Sequence, residues 1–252
     1  MTIAADNIIE VRGLTKRFHG FAAISNVDLD VRRQSIHALI GPNGAGKTTF
    51  FNLITKVHQP SGGSIRFNGE DITNEDPARV ARRGIVRSFQ ISAIFPRMTV
   101  AENVRIALQR PKGTSFHFWR SESSLSVLED RVDELLAAVG LEHMRDQTAA
   151  GLPYGRKRAL EFATTLAVEP ELLLLDEPTS GLGTEDVERI AALIRSVSAN
   201  RTILMVEHNL SIVARLADKI TVLARGKILA EGTYAEVSTD PRVIEAYIGG
   251  EE

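Results

Sequence analysis

The chain has 252 residues, of which 43% are hydrophobic and 25% are charged, and its formal net charge is −2. These values are typical of one globular domain with an ordinary core, and they give no general basic surplus for binding nucleic acid. The sequence contains 0 cysteines, which excludes disulfides, thiolate catalysis and sulfur-ligated metals.

The N-terminal part of the chain begins with a polar segment that has no export-signal pattern. Short apolar runs follow, and the second of them alternates as Val27, Leu29 and Val31. Alternation of this kind favours strands, with antiparallel pairing at this edge of a sheet. Strands are predicted at 8–11, 24–31, 36–40 and 63–67.

The middle of the chain has a different pattern. No strand candidate occurs from about 99 to 140, and apolar residues recur there at helical spacing. We therefore predict one domain over 1–252, built from a core of 1–92 and 158–252 and a helical subdomain of 93–157.

The C-terminal part of the chain returns to alternating strand and helix patterns. An α/β fold with a mostly parallel sheet is typical of this order. Strands are predicted at 172–175, 202–206 and 220–223, helices from about 184 and 210, and a hairpin at 225–226. The longest apolar runs are far shorter than the roughly 20 residues that a membrane-spanning helix needs. Because the N-terminus also has no export-signal pattern, we expect a cytoplasmic protein.

A glycine-rich segment directly after the strand at 36–40 matches the pattern G-x-x-x-x-G-K-[ST]. Glycines let the backbone surround phosphates, Lys47 neutralises them, and the Thr48 hydroxyl is a Mg²⁺ ligand. A P-loop NTPase core is therefore predicted. Its nucleotide-binding residues are predicted to be Gly41, Asn43, Gly44, Gly46, Lys47, Thr48 and Thr49.

A second motif is the apolar strand 172–175 followed by Asp176 and Glu177. A carboxylate at the end of such a strand is placed to hold Mg²⁺, which we predict for Asp176. Glu177 is predicted to be the general base that orients and deprotonates the attacking water.

These motifs, in this order, resemble the ABC ATPase superfamily over essentially the whole chain. The resemblance implies that ATP and Mg²⁺ are cofactors and that Phe18 stacks on adenine, although Phe18 also fits a core aromatic on an edge strand. It implies further that Gln90 contacts Mg²⁺ and the γ-phosphate, and that His208 contacts the γ-phosphate.

The family signature, usually Leu-Ser-Gly-Gly-Gln, corresponds to 152–156, where Pro153 replaces the serine. Proline provides no hydroxyl, so the resemblance implies contacts with the partner's ATP through the helix start at Pro153 and the amide of Gly155. This form of the signature segment and the sequences of 158–163 and 240–249 resemble the corresponding segments of the ATPases of branched-chain amino-acid uptake systems.

The resemblance also implies the assembly. Two ATPase subunits, identical or different, stack head to tail beneath two membrane permeases, on the inner face of the cell membrane, with an extracytoplasmic solute-binding protein. No nucleic acid partner is expected, because the long coiled coil of chromosome-maintenance ATPases is missing. Ile94, Phe95 and Met98 are expected either to face the permease or to pack the subdomain on the core. The alternative function is a regulatory subunit whose partner carries turnover.

Overall fold

The computed structural model describes residues 6–88, 94–109 and 122–248, and for 122–127 it describes the backbone alone. The strands are β1 (Asn7–Phe18), β2 (Phe21–Arg32), β3 (Ile36–Ile40), β4 (Gly62–Phe67), β5 (Glu70–Asp71), β6 (Ile85–Arg87), β7 (Leu172–Asp176), β8 (Thr202–Val206), β9 (Lys219–Ala224) and β10 (Lys227–Gly232). The helices are α1 (Lys47–Ile54), α2 (Pro77–Arg82), α3 (Val100–Gln109), α4 (Glu122–Ala138), α5 (Tyr154–Leu166), α6 (Thr184–Ser198), α7 (Leu210–Leu216), α8 (Tyr234–Ser238) and α9 (Pro241–Ile248).

A six-stranded sheet has the order β10-β9-β3-β8-β7-β6. All its neighbouring strands are parallel except β10, which pairs antiparallel with β9. Every residue of β3, β7 and β8 is buried, which explains why these strands are continuous apolar runs. The parallel pairing places the carboxyl ends of these strands at one edge.

A second, four-stranded sheet has the order β2-β1-β4-β5 and is antiparallel, which confirms the predicted N-terminal edge. One buried apolar cluster contains residues of both sheets and of α1, among them Leu14, Ile65, Phe50 and Leu174. The predicted α/β class with a mostly parallel sheet is confirmed.

The chain divides into two compact units. The first contains Met1–Arg87, Glu171–Pro178 and Ile194–Glu252, and thus both sheets. The second contains Ser88–Pro170 and Thr179–Leu193. It extends beyond the predicted helical subdomain of 93–157, because it includes all of α5, which packs with α3 and α4, and also the separate segment Thr179–Leu193. Among the described residues, no helix has the length and hydrophobicity needed to cross a membrane.

Candidate nucleotide-binding site

The phosphate loop joins β3 to α1 and has a backbone that requires glycine. Gly41 has φ 151°, and a Cβ there would overlap the carbonyl oxygen of Leu223. Gly46 has φ 105° at the N-cap of α1, and a Cβ would lie 2.6 Å from the Ala23 carbonyl oxygen. Both residues therefore need a left-handed conformation and a close backbone approach. The loop leads directly into the N-terminus of α1, where backbone N–H groups favour an anion.

Lys47 is the first residue of α1 and is buried. Its Nζ donates to the carbonyl oxygens of Gly41 at 2.6 Å and Pro42 at 3.0 Å, so the ammonium lies beside the loop that it follows. Burial lowers the pKa of Lys47, and the negative charges of Glu177 and Asp176 oppose this shift. The structure thus brings together residues of both sequence motifs.

Asp176 is the last residue of β7, and its side chain is 1% exposed. Its Oδ2 contacts Nη2 of Arg87, which is the last residue of β6. Its Oδ1 is buried and has no hydrogen-bond partner among the residues that the structure describes. Sequence reasoning missed Arg87, because no motif marks it and its partner Asp176 is distant in the sequence.

Glu177 and His208 are in direct contact, with 2.8 Å between Glu177 Oε1 and His208 Nε2. Glu177 follows β7 and has φ 48°, a conformation that is uncommon for a residue with a side chain. Its N–H donates to the carbonyl oxygen of Val206 at 2.8 Å, which fixes the backbone here. The two residues predicted to act on the γ-phosphate and the attacking water therefore meet at one point.

Glu207 is a buried residue that sequence reasoning did not single out. Its Oε2 accepts from the backbone N–H groups of His208 at 3.0 Å and Asn209 at 3.3 Å. The side-chain oxygen of Asn209 caps α7 by accepting hydrogen bonds from the backbone N–H groups of Ser211 and Ile212. The turn that carries His208 is therefore fixed by side-chain hydrogen bonds on the segment between β8 and α7.

Phe18 lies at the end of β1 and is 36% exposed, so it is not a core aromatic. Its ring meets the His58 ring edge-on at a centroid distance of 5.3 Å, and Lys16 Nζ lies 5.0 Å from its centroid. An exposed ring of this kind can stack on a base.

The second unit contains the signature segment. Pro153 is the N-cap residue of α5, so it precedes the helix that begins at Tyr154. A Cβ at Gly155 would overlap the carboxylate of Asp186, which accounts for glycine here by packing alone. Arg156 Nη1 donates to the carbonyl oxygen of Gly140 at 3.0 Å. The arginine that replaces the usual glutamine thus bonds to the chain just after α4.

Two predicted groups remain, namely Gln90 and the segment with Ile94, Phe95 and Met98. Gln90 lies outside the described residues. Phe95 is 51% exposed, whereas Ile94 and Met98 are partly buried. Asn103 Oδ1 accepts from the Phe95 N–H at 2.6 Å, so this short segment is attached to α3. Its contact with a permease stays a prediction.

Tyr247 in α9 is a further residue that sequence reasoning missed. Burial raises the pKa of its hydroxyl to about 12, and a hydrogen bond from the backbone of Gly41 acts in the opposite direction. The C-terminal helix therefore contacts the first glycine of the phosphate loop. No short motif signals such a contact, because its two partners are far apart in the sequence.

Residues 24–180 match the ABC transporter family. The chain belongs to the ABC transporter family. It is the ATP-binding and hydrolysing subunit of an ABC transporter, and the phosphate loop, Asp176 and Glu177 all lie within the matched segment. Residues 227–252, which include α9, match a second family described as branched-chain amino acid ATP-binding cassette transporter.

Relatives within the ABC family match nearly the whole chain. The high-affinity branched-chain amino acid transport ATP-binding protein BraF of Pseudomonas aeruginosa is 38% identical over 252 residues, which cover 96% of this chain and 98% of that protein. The corresponding LivG of Escherichia coli is 37% identical over the same shares of both chains.

Solved ABC cassettes have the same fold. The ADP conformation of MJ1267, an ATP-binding cassette of an ABC transporter, has a TM-score of 0.84 at 30% identity and covers 97% of this chain and 100% of that chain. A nucleotide-free ATP-binding cassette from an ABC transporter also has a TM-score of 0.84 at 30% identity, over 96% of this chain and 99% of that chain.

The residues at this end of the sheet also fit Mg²⁺, the cation that ABC cassettes are expected to use with ATP. Mg²⁺ prefers oxygen ligands, and Thr48 and Asp176 provide a hydroxyl and a carboxylate. The buried Asp176 Oδ1 has no partner within the described part of the chain, so the carboxylate retains an acceptor that a cation or its bound water can use.

Proposed function

We propose that this ATPase drives uptake of branched-chain amino acids or related small polar solutes. The support comes from relatives that are 37 and 38% identical over almost the whole chain and are named for that transport. The match of 227–252 to the family of the same description is a second, separate support.

ATP binds in this proposal at the edge of the six-stranded sheet where its parallel strands end. The loop amides and the N-terminus of α1 surround the phosphates, Lys47 neutralises them, and Phe18 stacks on adenine. The phosphate loop residues Gly41, Asn43, Gly44, Gly46, Thr48 and Thr49 complete this part of the site. Thr48, Gln90 and Asp176 would hold Mg²⁺, which would supply positive charge that offsets the negative charge of the phosphates.

Hydrolysis in this proposal depends on Glu177 and His208. The single observation that supports it is the 2.8 Å contact between Glu177 Oε1 and His208 Nε2, in which the carboxylate of the proposed base lies beside a second polar group. Glu177 takes a proton from the attacking water, and His208 orients Glu177 and contacts the γ-phosphate. A regulatory subunit without turnover would not need this pair.

A complete site in this proposal requires a second ATPase subunit. Pro153 and Gly155 face the nucleotide of that partner through the start of α5, where backbone N–H groups and the helix dipole act on the γ-phosphate. Two permeases in the membrane and an external solute-binding protein complete the transporter, so the chain works at the inner membrane face. The exposed ring of Phe95 is the proposed contact with a permease.

The test is uptake of labelled leucine in host cells whose gene for this chain has been deleted. We expect uptake to fall on deletion, to return with the parent gene, and to remain low with Glu177→Gln. Normal leucine uptake in the deletion strain would show that the solute is wrong. Full rescue by Glu177→Gln would instead favour the regulatory subunit, since a partner would then carry turnover.

A further inference from the structure

Arg87 lies against residues of two other elements. Its Nη2 contacts Asp176 Oδ2 at the end of β7, and its Nη1 donates to Asn52 Oδ1 in α1 at 2.7 Å. The guanidinium carbon is 5.7 Å from the centre of the Phe51 ring, which is fully buried. These contacts restrict the guanidinium to one orientation, because its planar fork bonds in two directions while an aromatic ring lies beside it.

The pair of Arg87 and Asp176 is shielded from water. The side chains are 17% and 1% exposed, whereas those of the surface pair Arg12 and Asp30 are 50% and 36% exposed. Removing one partner of a buried pair leaves an uncompensated charge, whereas an exposed pair contributes little. Arg87 is therefore the partner that compensates the charge of the buried Asp176 carboxylate.

The hydrogen bonds of Arg87 also determine which oxygen of Asp176 is left to bind a ligand. Oδ2 contacts the guanidinium, and Oδ1 is buried without a partner among the described residues. Asn52 lies one helical turn after Thr48 on α1. Arg87 thus connects α1 and β7, the elements that carry two of the proposed Mg²⁺ ligands.

We propose that Arg87 is a positioning residue for the metal site. It holds Asp176 Oδ2 so that Oδ1 is presented to Mg²⁺, and through Asn52 it fixes α1 beside β7. The inference rests on the proposed function, since Mg²⁺ binding by Asp176 is part of that proposal. Arg87 acts through Asp176, as hydrogen-bond partners of metal-ligating carboxylates do.

The test measures how much Mg²⁺ strengthens nucleotide binding. Isothermal titration of the full chain with a non-hydrolysable ATP analogue, in Mg²⁺ and in EDTA, gives two dissociation constants whose quotient is the metal effect. In Arg87→Met we expect the metal effect to fall by about tenfold or more. The dissociation constant in EDTA should change less than this, because the loop residues that hold the phosphates are themselves unchanged.

The other variants separate the possible results. Asp176→Asn should lose the metal effect, and if it does not, the proposed metal ligand itself is wrong. If Asp176→Asn loses the effect while Arg87→Met keeps or increases it, the positioning role of Arg87 is wrong. Arg12→Met, which removes a surface partner of Asp30, should behave like the parent protein.

Two further variants keep the test decisive if Arg87→Met does not fold, which circular dichroism reports. Arg87→Lys keeps the charge but has one nitrogen in place of the fork, and Asn52→Ala removes one anchor and leaves the pair with Asp176. Both should reduce the metal effect, by less than Arg87→Met. An unchanged metal effect in both folded variants would contradict the proposal.

Discussion

The six-stranded sheet carries clusters of polar side chains near both ends of its parallel strands, and the two ends differ in how these groups are paired. Near the amino end of β3, His37 Nε2 is 2.7 Å from Thr221 Oγ1, which donates to Glu231 Oε2 at 2.7 Å. Lys219 Nζ lies 2.5 Å from Glu231 Oε1. In this cluster of His37, Thr221, Glu231 and Lys219, each side chain therefore has a hydrogen-bond or ion-pair partner.

The carboxyl ends of the strands are different. Asp176 has a buried oxygen without a partner in the described residues, and Glu177 has a positive φ. Lys47 bonds to carbonyls of its own loop. A structural cluster pairs its groups within the protein, whereas this end keeps one buried acceptor, Asp176 Oδ1, and one uncommon backbone conformation, at Glu177, available for a ligand. Matched substitutions at the two ends test this difference.

The largest effect is expected from a substitution at Glu177, and Glu231 at the other end of the strands is its matched control. Glu177→Gln should lower ATP hydrolysis by about 1,000-fold while nucleotide binding remains, because an amide cannot take a proton from water. Glu231→Gln should leave hydrolysis unchanged and lower stability. Assays of phosphate release and nucleotide binding on both variants measure this. Equal hydrolysis in the parent protein and Glu177→Gln would remove Glu177 as the base.

The two lysines give the next comparison. Lys47→Ala should reduce hydrolysis at low ATP by about 100-fold or more, because the phosphates lose their nearby cation. Lys219→Ala removes a partner of Glu231 and should leave hydrolysis at the parent rate. A large loss of activity in Lys219→Ala would show that the amino ends of the strands also affect ATP hydrolysis, and would contradict the proposed difference between the two ends.

The smallest expected effect is on the pH dependence of the free energy of unfolding. Burial lowers the pKa of His37 to about 4, the carboxylate of Glu231 opposes the shift, and Lys219 adds to it. Since the unfolded histidine takes a proton near pH 6.5 and the folded one near pH 4, stability is full above pH 6.5 and is lost as pH falls towards 4. We expect a loss of about 2 kcal/mol from this residue between pH 7 and pH 4.5.

Urea unfolding at both pH values measures this loss in the parent protein and in His37→Gln. The variant can still donate to Thr221, but it has no group that titrates in this range. Its stability should therefore fall less over the same interval. An identical fall in both proteins would mean that other groups cause the pH dependence.

Much of the fold could be predicted, because its core strands carry strong local patterns. The ranges 36–40 and 202–206 were predicted from apolar runs and agree with β3 and β8. The phosphate loop was predictable for a related reason: its glycines are required by backbone geometry, and that requirement is visible in the sequence. The helical pattern of 99–140 likewise agrees with α3 and α4.

The rest depends on contacts between distant segments. The strand predicted at 8–11 extends to Phe18 because β1 pairs with both β2 and β4, and bulges interrupt the alternation that a sequence pattern would show. Arg87 and Tyr247 carry no motif, and their partners Asp176 and Gly41 are far away in sequence. Residues of this kind become visible only when the sheet brings them together.

The positive φ of Glu177 has a consequence for how this protein responds to selection. A left-handed conformation at a residue with a Cβ costs on the order of 1 kcal/mol, and glycine or asparagine there would relieve much of it. The hydrogen bond from its N–H to Val206 keeps the conformation in place. Directed evolution for heat resistance alone would therefore tend to replace the glutamate, and only a concurrent demand for turnover would retain it.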